Sequence, residues 1–246
     1  MANETLNVYA GELRAKYQKK INDTFIWASL ALDALQQAAT NHDFLDKEDF
    51  AVPSTRKGKT IRRTKRDLVR IFREAVANDF NYTVFTYLVA QTEAYLSDMI
   101  CTVLKTDHRR LKTRIQGIDH VKKIDVDEVL DAANLTELIE GLIEKEMVSL
   151  FYASPEKQFE YISKVLGAEI DTDVINKWKE YKACRDLIVH NSGIINPVYI
   201  SKVGAAARGV AGEQIKVDAK YLGRAIADMK AMIGRISTRI QKKNKT

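Results

Sequence analysis

The sequence predicts an all-α protein: a helical bundle with an N-terminal helical extension and a small β-hairpin or loop before the last helix. Three observations predict it. Only 3 prolines and 11 glycines punctuate 246 residues, too few for a turn-rich β-sandwich. Apolar residues recur at helical spacing through most of the chain. Helix start and stop signals flank several of those stretches. A chain of this length buries enough surface to form a core without disulfide or metal. Its hydrophobic fraction of 46% and charged fraction of 29% exclude wholesale disorder.

Residues 6–39 have helix-forming composition, with no glycine after Gly11 and no proline. Residues 42–53 are acidic and turn-like. Residues 62–77 form a helix with Leu68, Ile71, Phe72 and Val76 on one side. Residues 80–104 are apolar almost all round, as in a buried central helix. Residues 108–123 are polar and irregular, and residues 126–147 form one amphipathic helix. Ser154 caps a helix that has Pro155 at its first position and Gly167 as its stop. Residues 171–191 form the next helix. The stretch from Gly193 to Gly212 breaks the pattern. Ile215 to Val217 forms a short strand, and Asp218 caps a last helix ending near Gln241. The organisation is an N-terminal helical arm with its acidic loop (1–55), a basic segment and helix (56–79), and a helical domain (80–246).

The net charge is +6, and it is localised. Arg56, Lys57, Lys59, Arg62, Arg63, Lys65, Arg66, Arg70 and Arg73 stand against the single acid Asp67, a local excess of eight that leaves the rest of the chain at −2. Such a stripe suits a phosphate-backbone partner, with Arg62, Arg63, Lys65, Arg66 and Arg70 as the RNA-contacting candidates; a solvated face is the alternative. No apolar run approaches the roughly 18 residues of a membrane span. The run from Phe25 to Leu32 stops at Asp33. The first residues lack the pattern of a secretory signal. Cys101 and Cys184 are far apart, and read as reduced thiols of a cytoplasmic protein. The four histidines are scattered, and no Cys/His cluster has metal-ligand spacing, so neither metal nor cofactor is expected.

Residues 173–191 carry the chemistry. On a helical wheel Val174, Trp178, Tyr181, Cys184 and Ile188 form an apolar stripe, and Arg185 falls inside it. A cation there needs a carboxylate, a phosphate or an interface edge. Glu93, on the apolar 80–104 helix, is the candidate partner for a structural salt bridge. Asp186 and His190 are four apart and share a face. Arg185 and His190 are five apart, about 140° round the helix, so they meet only if the guanidinium reaches round or the helix loosens.

Arg185-Asp186-Leu187-Ile188-Val189-His190 resembles the Arg-polar-x-x-x-His motif of the HEPN superfamily of helical ribonucleases. The continuation His190-Asn191-Ser192-Gly193-Ile194-Ile195-Asn196 is similar to the His-Asn-x-Gly-Ile-Val-Asn run of RiboL-PSP-type HEPN proteins from bacterial defence loci. Glu93-Ala94-Tyr95-Leu96 and the segment from Ile215 to Met229 also look like that group. The resemblance covers roughly residues 80–240; the first 75 or so fall outside it.

It implies a HEPN-like bundle and a metal-independent endoribonuclease of toxin-like or abortive-infection type. The substrate's 2′-hydroxyl attacks phosphorus and leaves 2′,3′-cyclic phosphate and 5′-hydroxyl ends. His190 moves the proton, since imidazole titrates near neutrality. Arg185 presents a planar fork to the phosphate. Asp186 orients the imidazole or holds a water, and Asn191 binds phosphate or fixes the loop. The resemblance further implies a homodimer with both Arg–His pairs on one cleft, the stripe around Arg185 forming the interface, and a regulatory partner or antitoxin. The alternatives are a non-catalytic HEPN module binding RNA, nucleotide or a partner protein, and a helical adaptor with a core salt bridge.

Overall fold

The computed structural model describes residues 2–47, 51–52 and 61–243. The architecture is all-α. Among the described residues the helices are α1 (Ala2–Thr40), α2 (His42–Lys47), α3 (Lys65–Glu74), α4 (Phe80–Thr106), α5 (Val126–Asp131), α6 (Leu135–Tyr152), α7 (Pro155–Leu166), α8 (Thr172–Asn191), α9 (Pro197–Val203) and α10 (Ala219–Lys243). Two-residue strands β1 (Ala51–Val52) and β2 (Ile61–Arg62) pair antiparallel, Ala51 opposite Arg62. A π turn (Ala75–Asp79) joins α3 to α4, and a 3-10 turn (His108–Lys112) follows α4.

Most of the fold is organised round α4, which packs against α1, α6, α7, α8 and α10. Phe85, Leu88, Val89, Tyr95 and Ile100 are wholly buried, because this helix is apolar on nearly every side. The exception is a face of small or polar residues: Thr83, Tyr87, Ala90, Glu93, Ala94 and Ser97. Spaced three or four apart, they share one side of the helix.

The leading helix shares this core. Leu6, Ala10, Tyr17, Ile21 and Ala28 are spaced four and seven apart, so they fall on one face of α1, which packs on α4 and α10. Tyr17 donates to Asp98 at 2.7 Å, and Gln91 donates to Thr24 at 2.9 Å. What the sequence suggests as an arm is thus seated along the bundle.

Several boundaries differ from expectation for local reasons. The helix expected over 126–147 is two. Asn134 accepts from the Glu137 N–H at 3.0 Å and starts α6 afresh, giving the backbone an alternative to continuous helix. Val126, Val129 and Leu130 of α5 are exposed, so these apolar side chains do not hold the two pieces in line, although Glu128 of α5 pairs with Lys145 of α6. The glycine-rich stretch after Gly193 contains α9, started by Asn196 as N-cap and Pro197 at the first position, with Tyr199 buried. Instead of a hairpin, one antiparallel bridge joins Ile194 to Gln214. Helix α3 starts at Lys65, where Thr64 and Asp67 form a capping box. Ser154, Pro155 and Gly167 occupy the cap positions expected of them, Gly167 at φ 63°.

Candidate functional site

Helix α8 is regular to Asn191. Ser192 at φ 52° and Gly193 at φ 76° then turn the chain, and the Gly193 N–H returns to the Leu187 carbonyl at 2.9 Å. A glycine is required at 193 for a second reason. A Cβ there would lie 2.6 Å from Gln214 Nε2 and 2.8 Å from Tyr82 Oη. Asn191 donates its side-chain N–H to the Ile194 carbonyl, so of its two expected roles it fills the loop-fixing one here.

The apolar stripe of α8 faces the protomer's own core. Trp178, Tyr181 and Cys184 are buried there with Val174. This corrects the expectation that the stripe forms an interface: its apolar area is already spent on α4, α7 and α10. Burial pushes the Cys184 thiol up to about 12.

Arg185 sits at the edge of that core with a quarter of its side chain exposed. Its Nη2 lies 3.1 Å from Glu93 Oε2, and its Nη1 lies 3.1 Å from Asp186 Oδ1. Lys182, one turn earlier and more deeply placed, reaches Glu93 at 2.9 Å. Asp186 also faces Lys202 at 3.5 Å. Three cations therefore meet two carboxylates, leaving one positive charge. The carboxylate expected as partner, Glu93, holds that position; the sequence motif singles out neither Lys182 nor Lys202. Spacing offers a signal for Lys182, which shares a face with Arg185. Lys202 lies on α9, a helix inside the stretch whose glycines interrupt the helical pattern.

His190 is exposed, and among the described residues its ring makes no hydrogen bond or ion pair. Among the described residues no hydrogen bond or ion pair joins Asp186 to it. Because α8 stays helical to Asn191, Arg185 and His190 point about 140° apart. Val189, half-exposed, projects between them on the helix surface.

Two open grooves flank this segment. One lies between α4, α6 and α8. Glu93, Ala94 and Ser97 come from α4, Met147, Val148, Phe151 and Tyr152 from α6, and Lys182 and Arg185 from α8. The other lies nearer the end of α8, where Thr83, Tyr87 and Ala90 of α4 face Ile188, Ser192 and Gln214.

The basic segment is placed in part. Arg56, Lys57 and Lys59, and the side chain of Arg62, lie outside the described residues. Arg63, Arg66 and Arg70 are exposed. Lys65 pairs with Asp46 at 2.7 Å and Arg70 with Glu74 at 2.8 Å. Helix α3 packs on α1 and α2. The π turn that follows it lends Asn78 and Asp79 to the second groove.

Among the described residues no group of three or more His, Cys, Asp or Glu could hold a metal ion, and no helix is long and apolar enough to cross a membrane. No family model matches the chain, and neither a curated protein nor a solved structure does. The class defined by fold and site is an all-α bundle with a partly buried cluster of charge on its α8 edge.

Proposed function

We propose that the protein is a metal-independent endoribonuclease of the HEPN type, acting as a toxin-like defence enzyme through a site composed across a homodimer. The observation that carries this reading is the end of α8: an exposed imidazole with no partner of its own, a partly exposed guanidinium five residues earlier, and an exposed valine between them. A solvent-facing apolar side chain between two candidate catalytic groups suits a contact with a second copy. A two-fold contact through Val189 would bring two His190 rings and two Arg185 forks to one cleft, which a single protomer does not do.

In that cleft the O2′–P bond forms and the P–O5′ bond breaks. His190 takes the 2′-hydroxyl proton and, now protonated, gives it to the departing 5′-oxygen, and Arg185 steadies the charge gathering on the phosphoryl oxygens. Asn191 holds the loop that ends the helix. The exposed Arg63 and Arg66 add attraction for the phosphate backbone without base reading.

A second reading has its own support. Both outer nitrogens of Arg185 already face carboxylates, which suits a non-catalytic HEPN module that binds RNA or a partner.

Cleavage in the presence of EDTA separates the two. Wild type is expected to cut single-stranded RNA to 2′,3′-cyclic phosphate ends, and His190→Ala and Arg185→Ala to cut none. Equal cutting by those variants refutes the site. Failure of the wild type to cut a broad panel of RNAs, dimer present, favours the binding module.

A further inference from the structure

The groove between α4, α6 and α8 carries an aromatic that neither the core nor the proposed chemistry uses. Tyr152, the last residue of α6, is 89% exposed. It is nevertheless held in a rigid corner. The buried Gln158 of α7 donates to the Phe151 carbonyl at 3.1 Å and to the Ala153 carbonyl at 2.9 Å, bracketing Tyr152 on both sides. Ser154 then starts α7 at once. With the backbone already fixed, stacking on the ring costs side-chain rotamer freedom only.

Lys182 and Arg185 reach the same groove, both on the carboxylate of Glu93, with Asp186 also on Arg185; counted with Lys202, the cluster keeps one net positive charge. The small Ala94 and Ser97 of α4 leave its side open. An aromatic face and a cationic edge across one open groove match the two halves of a nucleotide, whose base stacks and whose phosphate is drawn to cations.

We propose that Tyr152 is the base-stacking platform of a single-stranded RNA seat, with the phosphate of the stacked nucleotide lying toward Lys182 and Arg185. The proposal rests on the ribonuclease reading for its choice of RNA, and deepens it by assigning the residue that favours unpaired strands. Stacking is indifferent to which base is present, so the seat selects for strandedness with little sequence preference. A duplex, whose bases are already stacked, gains nothing there.

The test uses the full-length protein and a short, fluorescently labelled 2′-O-methyl RNA, which lacks the attacking hydroxyl and stays intact. Tyr152→Ala is expected to weaken binding by about tenfold, in the range for losing one stacked base. Tyr152→Phe keeps the ring and is expected to bind as wild type does. The matching duplex is expected to bind equally to all three. An oligonucleotide carrying 5-iodouridine is expected to photocrosslink to the peptide that contains Tyr152. Circular dichroism checks that Tyr152→Ala folds.

Unchanged affinity in Tyr152→Ala, or no binding by the wild type, overturns the seat. So does a loss of binding that tracks a change in oligomeric state by light scattering, which would assign Tyr152 to a protein contact. Cleavage of unmodified RNA, scored separately, keeps the two readings apart. Tyr152-dependent binding without cutting sinks the ribonuclease and spares the seat; cutting with a neutral Tyr152→Ala does the reverse.

Discussion

Arg185 and Glu93 face each other where α8 crosses α4, Nη2 3.1 Å from Oε2, and Lys182 closes on the same carboxylate from the other side at 2.9 Å. The two cations are not equivalent. Lys182 is 11% exposed and among the described residues pairs with Glu93 alone, whereas Arg185 is 25% exposed and also has Asp186.

The asymmetry ranks three variants. Glu93→Ala leaves two neighbouring cations short of an acid and is expected to destabilise by about 1–3 kcal/mol. Arg185→Ala leaves Glu93 neutralised by Lys182 and should cost less than about 1 kcal/mol. Lys182→Ala falls between. Urea denaturation of the three variants checks the order. Arg185→Ala as the most destabilising would mean that Arg185 is chiefly structural, and would weaken its assignment to chemistry.

A different histidine carries the fold. His120 and Glu146 are both almost fully buried, with His120 Nδ1 against Glu146 Oε1. The Ile115 N–H points at Nε2 from 2.8 Å, nearer than the Ile115 carbonyl at 3.2 Å, so Nε2 accepts and Nδ1–H donates. Glu146 Oε2 accepts from the Val121 N–H at 3.3 Å. His120→Ala strands a buried carboxylate and is expected to destabilise by about 3–5 kcal/mol. Glu146→Gln keeps the shape but sets an amide N–H₂ against a donor, and is expected to cost about 1–3 kcal/mol. His190→Ala, on an exposed ring, is expected to change stability by no more than about 0.5 kcal/mol. Chemical denaturation of the three proteins distinguishes the structural histidine from the candidate catalytic one; a large loss in His190→Ala would contradict the placement.

Beneath the site lies a polar hub. Glu180 accepts from Arg208 Nε at 2.7 Å, Tyr221 Oη at 2.7 Å and Tyr199 Oη at 3.1 Å. Arg208 stacks on the Tyr221 ring at 3.6 Å and reaches Cys184 Sγ at 3.0 Å. Burial raises both the Cys184 thiol, to about 12, and the Tyr221 phenol. Their folded-state values stand above their unfolded ones, so the protons favour the native state. This contribution is complete well below the unfolded thiol's pKa of about 8.5, and fades as the pH rises through that value toward the folded one. The melting temperature is therefore expected to fall above pH 9. Cys184 is expected to resist iodoacetamide at pH 8 until the protein is unfolded. Rapid alkylation of native Cys184, mapped by mass spectrometry, would contradict this burial.

How much of this was legible in the sequence depended on how local the cause was. Ser154, Pro155 and Gly167 act within a turn of their own positions, and their places could be read directly. So could the all-helical class, which follows from spacing. The pairing of Glu93 with Arg185 was readable because each is a charge in an apolar setting that demands a partner. Tyr152 was not: its exposure follows from a corner fixed by Gln158, six residues on, which no periodicity announces. The break at Asn134 was missed because the apolar pattern runs across it, while the exposure of the apolar side chains of α5 is a tertiary fact. Nor could the wheel tell that the stripe beside Arg185 would be consumed by the protomer's own core, since an apolar face looks the same whether its partner is in the same chain or in another.

The turn after His190 offers a last prediction with an internal control. Gly193 is held at φ 76°, and a methyl group there would meet Gln214 Nε2 at 2.6 Å and Tyr82 Oη at 2.8 Å. Gln214 also donates to the Ser192 carbonyl at 3.0 Å, and Tyr82 to the Ile215 carbonyl at 2.5 Å. Neither contact can yield without loosening the loop that Asn191 ties to Ile194. Gly193→Ala is therefore expected to cost about 1–3 kcal/mol and, under the ribonuclease reading, to lower cleavage by disturbing the helix end that carries His190. Gly141 sits inside α6, where an added methyl meets nothing within 4 Å. Gly141→Ala is expected to stabilise by about 0.5–1 kcal/mol through helix propensity alone, with cleavage unchanged. Thermal melts of the two single variants read opposite signs if the turn is built this way; a neutral Gly193→Ala would mean that the loop after His190 has room that these contacts deny it.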